Sequence, residues 1–372
     1  MLFFLAHPAH YHLFKHVIRR FLADGARVTV VIVKKDVLET LVAGEDWDIV
    51  NLAPEGRRLD GVPFALAGPV LLWRTEYRLL RLVRHLRPEV LVGTELTLAH
   101  VGRLLGIPSV LFNEDDTAAT PENLLFYPFA SALVLPCCCD PGRWERRRVS
   151  YPGYHELAYL HPDLFTPEET VIRQLAPDGG RYFLLRLVSL TASHDAGKSG
   201  IDNALATRLI DYLSGLGRPY ITAERPLPRQ FEPYRIRLDP ALMHHALAGA
   251  GLVVGDSQTM AAETMVLGTP SVRINDFVGR LGYLRELEDD YRLGVGLPVA
   301  ESGRLLDTVR DLINDPGGSD VFARRRQTML AQRINPVALY CRLIILAAAR
   351  RPVAALRQAA TQHSNAADAT QR

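Results

Sequence analysis

The chain has 372 residues, 48% of them hydrophobic and 23% charged, and a formal net charge of +2. That length exceeds one ordinary hydrophobic core and points to two domains. The composition excludes a disordered chain, and so small a net charge leaves no whole-molecule field to gather nucleic acid or an acidic membrane.

Leu2 to Ala6 reads as a short buried strand. The opening MLFFLA has no basic residue before it and is too short for a signal core. His7-Pro8 begins a histidine-bearing loop, after which Phe14, Val17, Ile18, Phe21 and Leu22 recur at helical spacing. Gly25 ends that helix, and the β-branched run Val28 to Val33 is a strand buried on both faces, which completes a βαβ unit. The alternation continues with a helix around Leu79 to Leu86, a strand at Val90 to Val92, a helix from Leu98 to Leu105, and strands at Ser109 to Phe112 and Ala132 to Leu135. Strands and helices alternating at this interval predict a parallel sheet with helices on both faces.

Between Pro152 and Gly180 prolines and glycines interrupt any long element, and the linker is placed there. A second series follows, with strands at Tyr182 to Val188, Tyr220 to Thr222 and Leu252 to Val254. Its helices lie near Ala204 to Leu213, Ala241 to Ala248, Gly303 to Ile313 and Pro336 to Ala349. The final HSNAADATQR reads as a frayed tail. The expected domains are residues 1–165, 166–335, and a C-terminal helix and tail at 336–372. No apolar run reaches the roughly 20 residues that span a bilayer, so a soluble or peripheral protein is expected. The cysteines are Cys137, Cys138, Cys139 and Cys341; three in a row form neither a disulfide framework nor the spaced pairs of structural zinc, and a reducing, cytoplasmic setting follows.

In an open α/β sheet, ligands meet helix N-termini beyond the carboxyl ends of the strands. Gly255-Asp256-Ser257 occupies that position. Ser257 is a good N-cap, and QTMAAETMVL keeps helix propensity until Gly268 and Pro270. Gly255 to Arg273 is therefore predicted to be a strand–helix–strand junction that grips a nucleotide diphosphate, with Asp256, Ser257 and Gln258 at the phosphates. Glu263, the single carboxylate of an apolar helix and four residues after Thr259, is placed to take both ribose hydroxyls. The alternative leaves Asp256 and Ser257 as caps and pairs Glu263 with Arg273 or Arg280.

Other residues gather at strand ends. His7, His10 and His12 offer a general base for an acceptor hydroxyl, a metal site, or purely structural side chains. Asn113-Glu114-Asp115-Asp116 is either an acid–base cluster or a solvated loop. His194, Asp195, Gly197, Lys198 and Ser199 form a loop able to close over a diphosphate, or an ordinary loop. Arg280 offers a forked phosphate donor or a partner for Glu286 or Glu288. The basic cluster Arg143, Arg146, Arg147 and Arg148 beside Trp144, and Arg324 to Arg326, read as solvated faces ahead of lipid contacts. The cysteine triplet reads as small buried filler.

GDSQTMAAETMVLGTPSVRINDFVGRLGYLREL resembles the signature region of a bacterial and archaeal family known as domain-of-unknown-function family 354, whose members have the GT-B fold. The likeness extends to His7-Pro8 and His10 to Phe14, to FNEDD at Phe112 to Asp116, and to YPGYHELAYL at Tyr151 to Leu160. More distantly the chain is similar to non-hydrolysing UDP-N-acetylglucosamine 2-epimerases. In that resemblance DSQTMAAE parallels the epimerase DSGG-type segment, with Glu263 as its ribose-binding glutamate. Glu95 in GTELT stands at the acidic position of a GD motif, Glu114 at the glutamate of HVEAG, Glu122 in TPEN at the glutamate of a PEE motif, and His194 in TASHDAG at the histidine of GHR. The chain departs from the epimerases in lacking the arginine and lysine of their GTRPE loop, where it has His7, His10, His12 and Lys15. Asp195 also replaces the arginine after the GH histidine.

The resemblance implies an α/β, GT-B-like architecture of two Rossmann-like, doubly wound domains facing across a cleft. The function it implies is a nucleotide-sugar-dependent glycosyltransferase-like enzyme of surface polysaccharide or glycoconjugate biosynthesis that uses a UDP-sugar. A 2-epimerase and a non-catalytic nucleotide-sugar-binding protein are the alternatives. His10, Glu95, Glu114, Glu122 and His194 are the expected catalytic residues, and Asp256, Ser257, Gln258, Glu263, Arg273, Arg280 and Lys198 the expected nucleotide-binding ones. No cofactor and no obligatory metal are expected. The expected partners are the UDP-sugar and a sugar, lipid-linked or polysaccharide acceptor, with no nucleic acid, at most peripheral contact with the inner face of a membrane, and a homodimer allowed.

Overall fold

The computed structural model describes residues 1–35, 37–54, 64–188, 200–315 and 318–371, with side chains at all of these except 64–69, 319 and 367–371. Two compact units divide the chain: Met1–Tyr159 with Ile334–Arg372, and Leu160–Arg333.

The first unit is built on a parallel sheet of seven strands: β1 (Leu2–Leu5), β2 (Thr29–Val33), β3 (Asp48–Ala53), β4 (Leu91–Gly93), β5 (Ser109–Phe112), β6 (Ala132–Pro136) and β7 (Arg148–Tyr151). Every residue of β1, β2, β4, β5 and β6 is buried, as a strand covered by helices on both faces requires. The spatial order is β3-β2-β1-β4-β5-β6-β7. The chain winds outward from β1 to β3, then crosses back and winds the other way from β4. The order reverses between β1 and β4, the place where open α/β sheets take ligands. Around the sheet lie α1 (Pro8–Ala23), α2 (Leu38–Ala43), α3 (Phe64–Leu86), α4 (Thr97–Leu105) and the single turn α5 (Leu157–Leu160).

The second unit holds α6 (Glu169–Leu175), β8 (Tyr182–Leu187), α7 (Asn203–Ser214), β9 (Arg218–Ala223), α8 (Met243–Gly249), β10 (Leu252–Gly255), α9 (Gln258–Leu267), β11 (Ser271–Ile274), the turn α10 (Gly282–Arg285), β12 (Gly294–Leu297), α11 (Leu305–Ile313) and α12 (Gly318–Leu330). Its five parallel strands run β12-β11-β10-β8-β9, so its reversal lies between β8 and β10. Phe183, Leu185, Val254 and Val272 pack there against Leu209, Leu213, Leu305 and Val309 from α7 and α11.

From Ile334 the chain rejoins the first unit. Ile334 N donates to Pro152 O at 2.9 Å, and α13 (Val337–Ala348) sets the buried Tyr340 edge-on to Phe112, with ring centroids 4.7 Å apart. The segment set apart in sequence as 336–372 thus belongs to the first compact unit. The tail continues a helix, α14 (Val353–Gln371), whose start is tied to the first unit where Arg357 Nε donates to Arg148 O at 2.7 Å. Among the described residues, no helix is long and apolar enough to cross a membrane.

Candidate functional site

In the second unit, β10 ends at Gly255 and α9 begins at Gln258, immediately beside the reversal. Ser257 is the N-cap, its Oγ accepting from Met260 N at 3.3 Å. The amides of Gln258 and Thr259 precede the first intrahelical bonds and point out of the helix as free donors for an anion. Ser257 to Met260 are half-buried, whereas Ala261 to Leu267 are fully buried. The first turn is the most open part of α9.

Asp256 turns away from that opening. Its Oδ1 accepts from Val188 N at 2.8 Å and its Oδ2 from Ile201 N at 3.3 Å, so the carboxyl joins the end of β8 to the segment leading into α7. Burial pushes its pKa up to about 6. Gly200 is required here: a Cβ would lie 2.5 Å from Asp256 Oδ2. A cavity of about 430 Å³ opens beside Gly200, lined also by Asp202, Leu205, Arg208, Ser302 and Gly303.

Glu263, one turn into α9, is buried, and its Oε1 lies 3.0 Å from Nε2 of the equally buried His244 on α8. Neither arginine considered from sequence is its partner. Arg273 is 1% exposed and makes a two-pronged contact with Glu288, Nε to Oε1 at 2.9 Å and Nη2 to Oε2 at 3.0 Å. Its Nη1 donates to Asn275 Oδ1 at 3.0 Å, and Asn275 Nδ2 donates to Asp256 O at 3.2 Å. Arg273 therefore braces the ends of β10 and β11, with its cationic head occupied by Glu288 instead of facing a ligand. Arg280 is exposed, and Glu286 pairs with Arg333. His194 and Lys198 lie outside the described residues.

In the first unit, HPAHYH is the start of α1, not a loop. His7 caps it with Nδ1 accepting from Ala9 N at 3.1 Å, and Pro8 takes the first helical position, where it has no bond to lose. His10 Nδ1 accepts from Ala6 N at 3.1 Å, and its Nε2 is 2.8 Å from Thr94 Oγ1. The pair spans the reversal between β1 and β4. Thr94 Oγ1 also lies 2.9 Å from His10 Nδ1. His12 is buried, its ring centroid 5.3 Å from that of Tyr159.

The acidic run after β5 is ordered by Asn113, whose Oδ1 accepts from Glu114 N at 2.9 Å. Glu114 Oε2 stands 3.3 Å from Nδ1 of His155, and Glu114 O accepts from Cys139 Sγ at 3.0 Å. Burial lowers the His155 pKa to about 3, so a neutral ring faces the carboxylate. Glu156, beside it, is 1% exposed. Glu95 leaves the end of β4, next to β5, while Glu122 is exposed on the 3-10 turn Pro121–Leu125. Of the cysteine triplet only Cys139 is buried, and burial raises its thiol pKa. The strand ends thus bring Glu114 to His155 and His10 to Thr94. His155, Glu156 and His244 escaped the sequence reading; the dipeptide His155-Glu156 inside the apolar YHELAYL was the one available signal.

Solved structures match nearly the whole chain. Os79 from O. sativa, in complex with UDP and deoxynivalenol-3-glucoside, is 14% identical with a TM-score of 0.61 over 92% of this chain and 100% of its own. The UDP-GlcNAc 2-epimerase from Neisseria meningitidis, bound to UDP-GlcNAc, is 10% identical with a TM-score of 0.59 over 94% and 99%. The fold is GT-B. MurG from Acinetobacter baumannii shares it at 16% identity and a TM-score of 0.56, over 92% of this chain and 99% of its own. Identities this low carry the GT-B fold alone. No family model matches the chain, nor does any curated protein, so the likeness to family 354 rests on its motifs.

Proposed function

We propose that the chain is a nucleotide-sugar-dependent glycosyltransferase-like enzyme that takes a UDP-sugar and acts in surface polysaccharide or glycoconjugate synthesis. The observation that carries this reading is the open first turn of α9, capped by Ser257 at the reversal of the second sheet, with buried Glu263 one turn behind it. In this reading the amides of Gln258 and Thr259 hold diphosphate oxygens and stabilise the leaving group as the sugar–phosphate bond breaks. Glu263, held by His244, takes the ribose hydroxyls. Arg280, and Lys198 outside the described residues, supply positive charge to the phosphates. Asp256 and Arg273 act indirectly, by fixing the strand ends from which α9 starts.

Acid–base work falls to the first unit. Glu114 and His10 are the best-ordered candidates there, with Glu95 on the neighbouring strand end and Glu122 on an exposed turn. His194 stays a candidate on its motif. A second reading, 2-epimerisation, draws on Glu114: a carboxylate beside a neutral, buried histidine is a suitable base for a carbon-bound proton. That Os79 and the Neisseria epimerase resemble the chain at similar TM-scores supports either reading. The likeness of the family-354 motifs adds no choice between them.

Calorimetry with UDP and proton NMR of UDP-N-acetylglucosamine in heavy water test both. The donor-site reading expects saturable UDP binding, weakened at least tenfold by Glu263→Ala; equal affinity for the variant would remove it. Deuterium entering the second carbon of the sugar would replace transfer by epimerisation. Tight UDP binding with no turnover of any nucleotide-sugar or acceptor would favour a binding protein.

A further inference from the structure

The longest helix, α3, has an uneven surface. Its described buried stripe is short, with Leu79 and Val83 fully covered. On the opposite face Trp73 and Tyr77, one turn apart, stack with centroids 5.9 Å apart and an interplanar angle of 17°, and they are 67% and 49% exposed. Two tyrosine- or tryptophan-sized rings stacked in water are an unfavourable surface unless something covers them.

The charges of the helix itself are mostly of one sign. Between Phe64 and Leu86 the helix carries Arg74, Arg78, Arg81 and Arg84 against the single acid Glu76, although the whole chain is nearly neutral. Glu76 is taken up by His100 of α4, Oε1 to Nδ1 at 2.6 Å. Arg81 lies over the Tyr77 ring at 6.0 Å and, like Arg84, is exposed at the next turns of the same face. The apolar patch continues past His100, whose Nε2 is 3.2 Å from Leu125 O and whose ring meets Phe129 at 5.0 Å. Leu125 is 66% exposed and Leu104, at the end of α4, 70%.

Exposed indole and phenol rings flanked by arginines have the chemistry of a bilayer interface: the rings enter the headgroup layer, and the guanidinium groups stay beside lipid phosphates. A protein partner would call for an apolar core ringed by charges of both signs; here the exposed charges of α3 beside the rings are arginines, while Glu76 is paired with His100 and Glu122 stands off the helix, on the Pro121–Leu125 turn. We infer that the α3 face centred on Trp73 and Tyr77, with Arg81 and Arg84, docks the protein on an anionic lipid surface. This site differs from the basic runs Arg143 to Arg148 and Arg324 to Arg326, and it does not depend on the nucleotide site. It places the protein where a lipid-linked acceptor would be found.

Flotation of the full chain with vesicles tests it. Phosphatidylcholine vesicles containing 30% phosphatidylglycerol, at about 0.1 M salt, should carry the protein; phosphatidylcholine alone should not, and salt at 0.5 M should release it. The exposed pairs Trp73→Ser/Tyr77→Ser and Arg81→Glu/Arg84→Glu should each lower the bound fraction at least fivefold, while Arg324→Glu/Arg325→Glu leaves it unchanged. UDP affinity should stay the same in all three variants, which separates this result from any failure of the donor site. No binding of the wild-type chain, or loss of binding only in the Arg324/Arg325 variant, would overturn the assignment. So would self-association in solution that disappears in Trp73→Ser/Tyr77→Ser, which would make the patch a contact between copies.

Discussion

At the scale of single residues, Asp256 is the most instructive side chain. Its place after β10 suggests a ligand contact, yet both oxygens accept backbone amides, from Val188 and Ile201. Burial raises its pKa from 3.8 to about 6. Because the folded value lies above the unfolded one, its contribution to stability is fully present below about pH 4 and is lost as pH rises through about 6. Asp256→Asn should remove that part of the pH dependence. It should also turn an amide NH₂ toward one of the two backbone donors, at a cost of about 1–3 kcal/mol. Thermal melts of both proteins between pH 4 and 7 check this; parallel profiles would show that the carboxyl does not titrate in that window. Arg273 teaches the same lesson from the basic side, since a fork suited to phosphate is held by Glu288 and Asn275.

At the scale of elements, α9 explains why the site survives in so apolar a sequence. QTMAAETMVL has no polar stripe, so the helix is buried nearly all round, and its ends must satisfy their own backbone groups. Ser257 does so at the start. At the end, Gly268 adopts φ 80° and returns its amide to Thr264 and Met265, while Arg326 Nε donates to Val266 O at 2.9 Å. A cation at that end and an anion at the other both suit the helix dipole. Gly268→Ala forces a left-handed residue with a side chain, and its Cβ would lie 2.7 Å from Arg326 Cδ. It should cost about 1–2 kcal/mol, read as a lower midpoint in denaturant with an unchanged slope. No change in midpoint would mean that α9 ends another way. In sequence the N-cap and the glycine stop of α9 are plain because both signals are local. The length of α3 is not: its periodic part is visible only from Leu79, and Pro69 hides the rest.

At the scale of the whole molecule, the last segment is a structural part of the first unit. Tyr340 of α13 donates its hydroxyl to Tyr151 at the end of β7, and both rings are fully buried. Tyr340→Phe strands the Tyr151 hydroxyl and should cost about 1–3 kcal/mol. Tyr151→Phe/Tyr340→Phe removes both hydroxyls and should cost less than the two single changes summed, giving a coupling measurable by chemical denaturation of the four proteins. Additive costs would mean that each hydroxyl has another partner. Sequence spacing could not assign residues 336–372 to the first unit, because the contact that decides it joins positions 189 apart.

What the sequence determined by itself is therefore what is written locally. Apolar strands between amphipathic helices specify two doubly wound sheets, and Ser257 with Gly268 marks the ends of α9. Edge strands carried too weak a signal: β3 begins with the exposed Asp48, and β12 contains two glycines. Tertiary structure alone decided which polar groups meet, joining Glu263 to His244, Asp256 to Val188, and Glu114 to His155. These partners come from different helices and strand ends, and side-chain polarity in sequence states a need for a partner without stating which one the fold supplies.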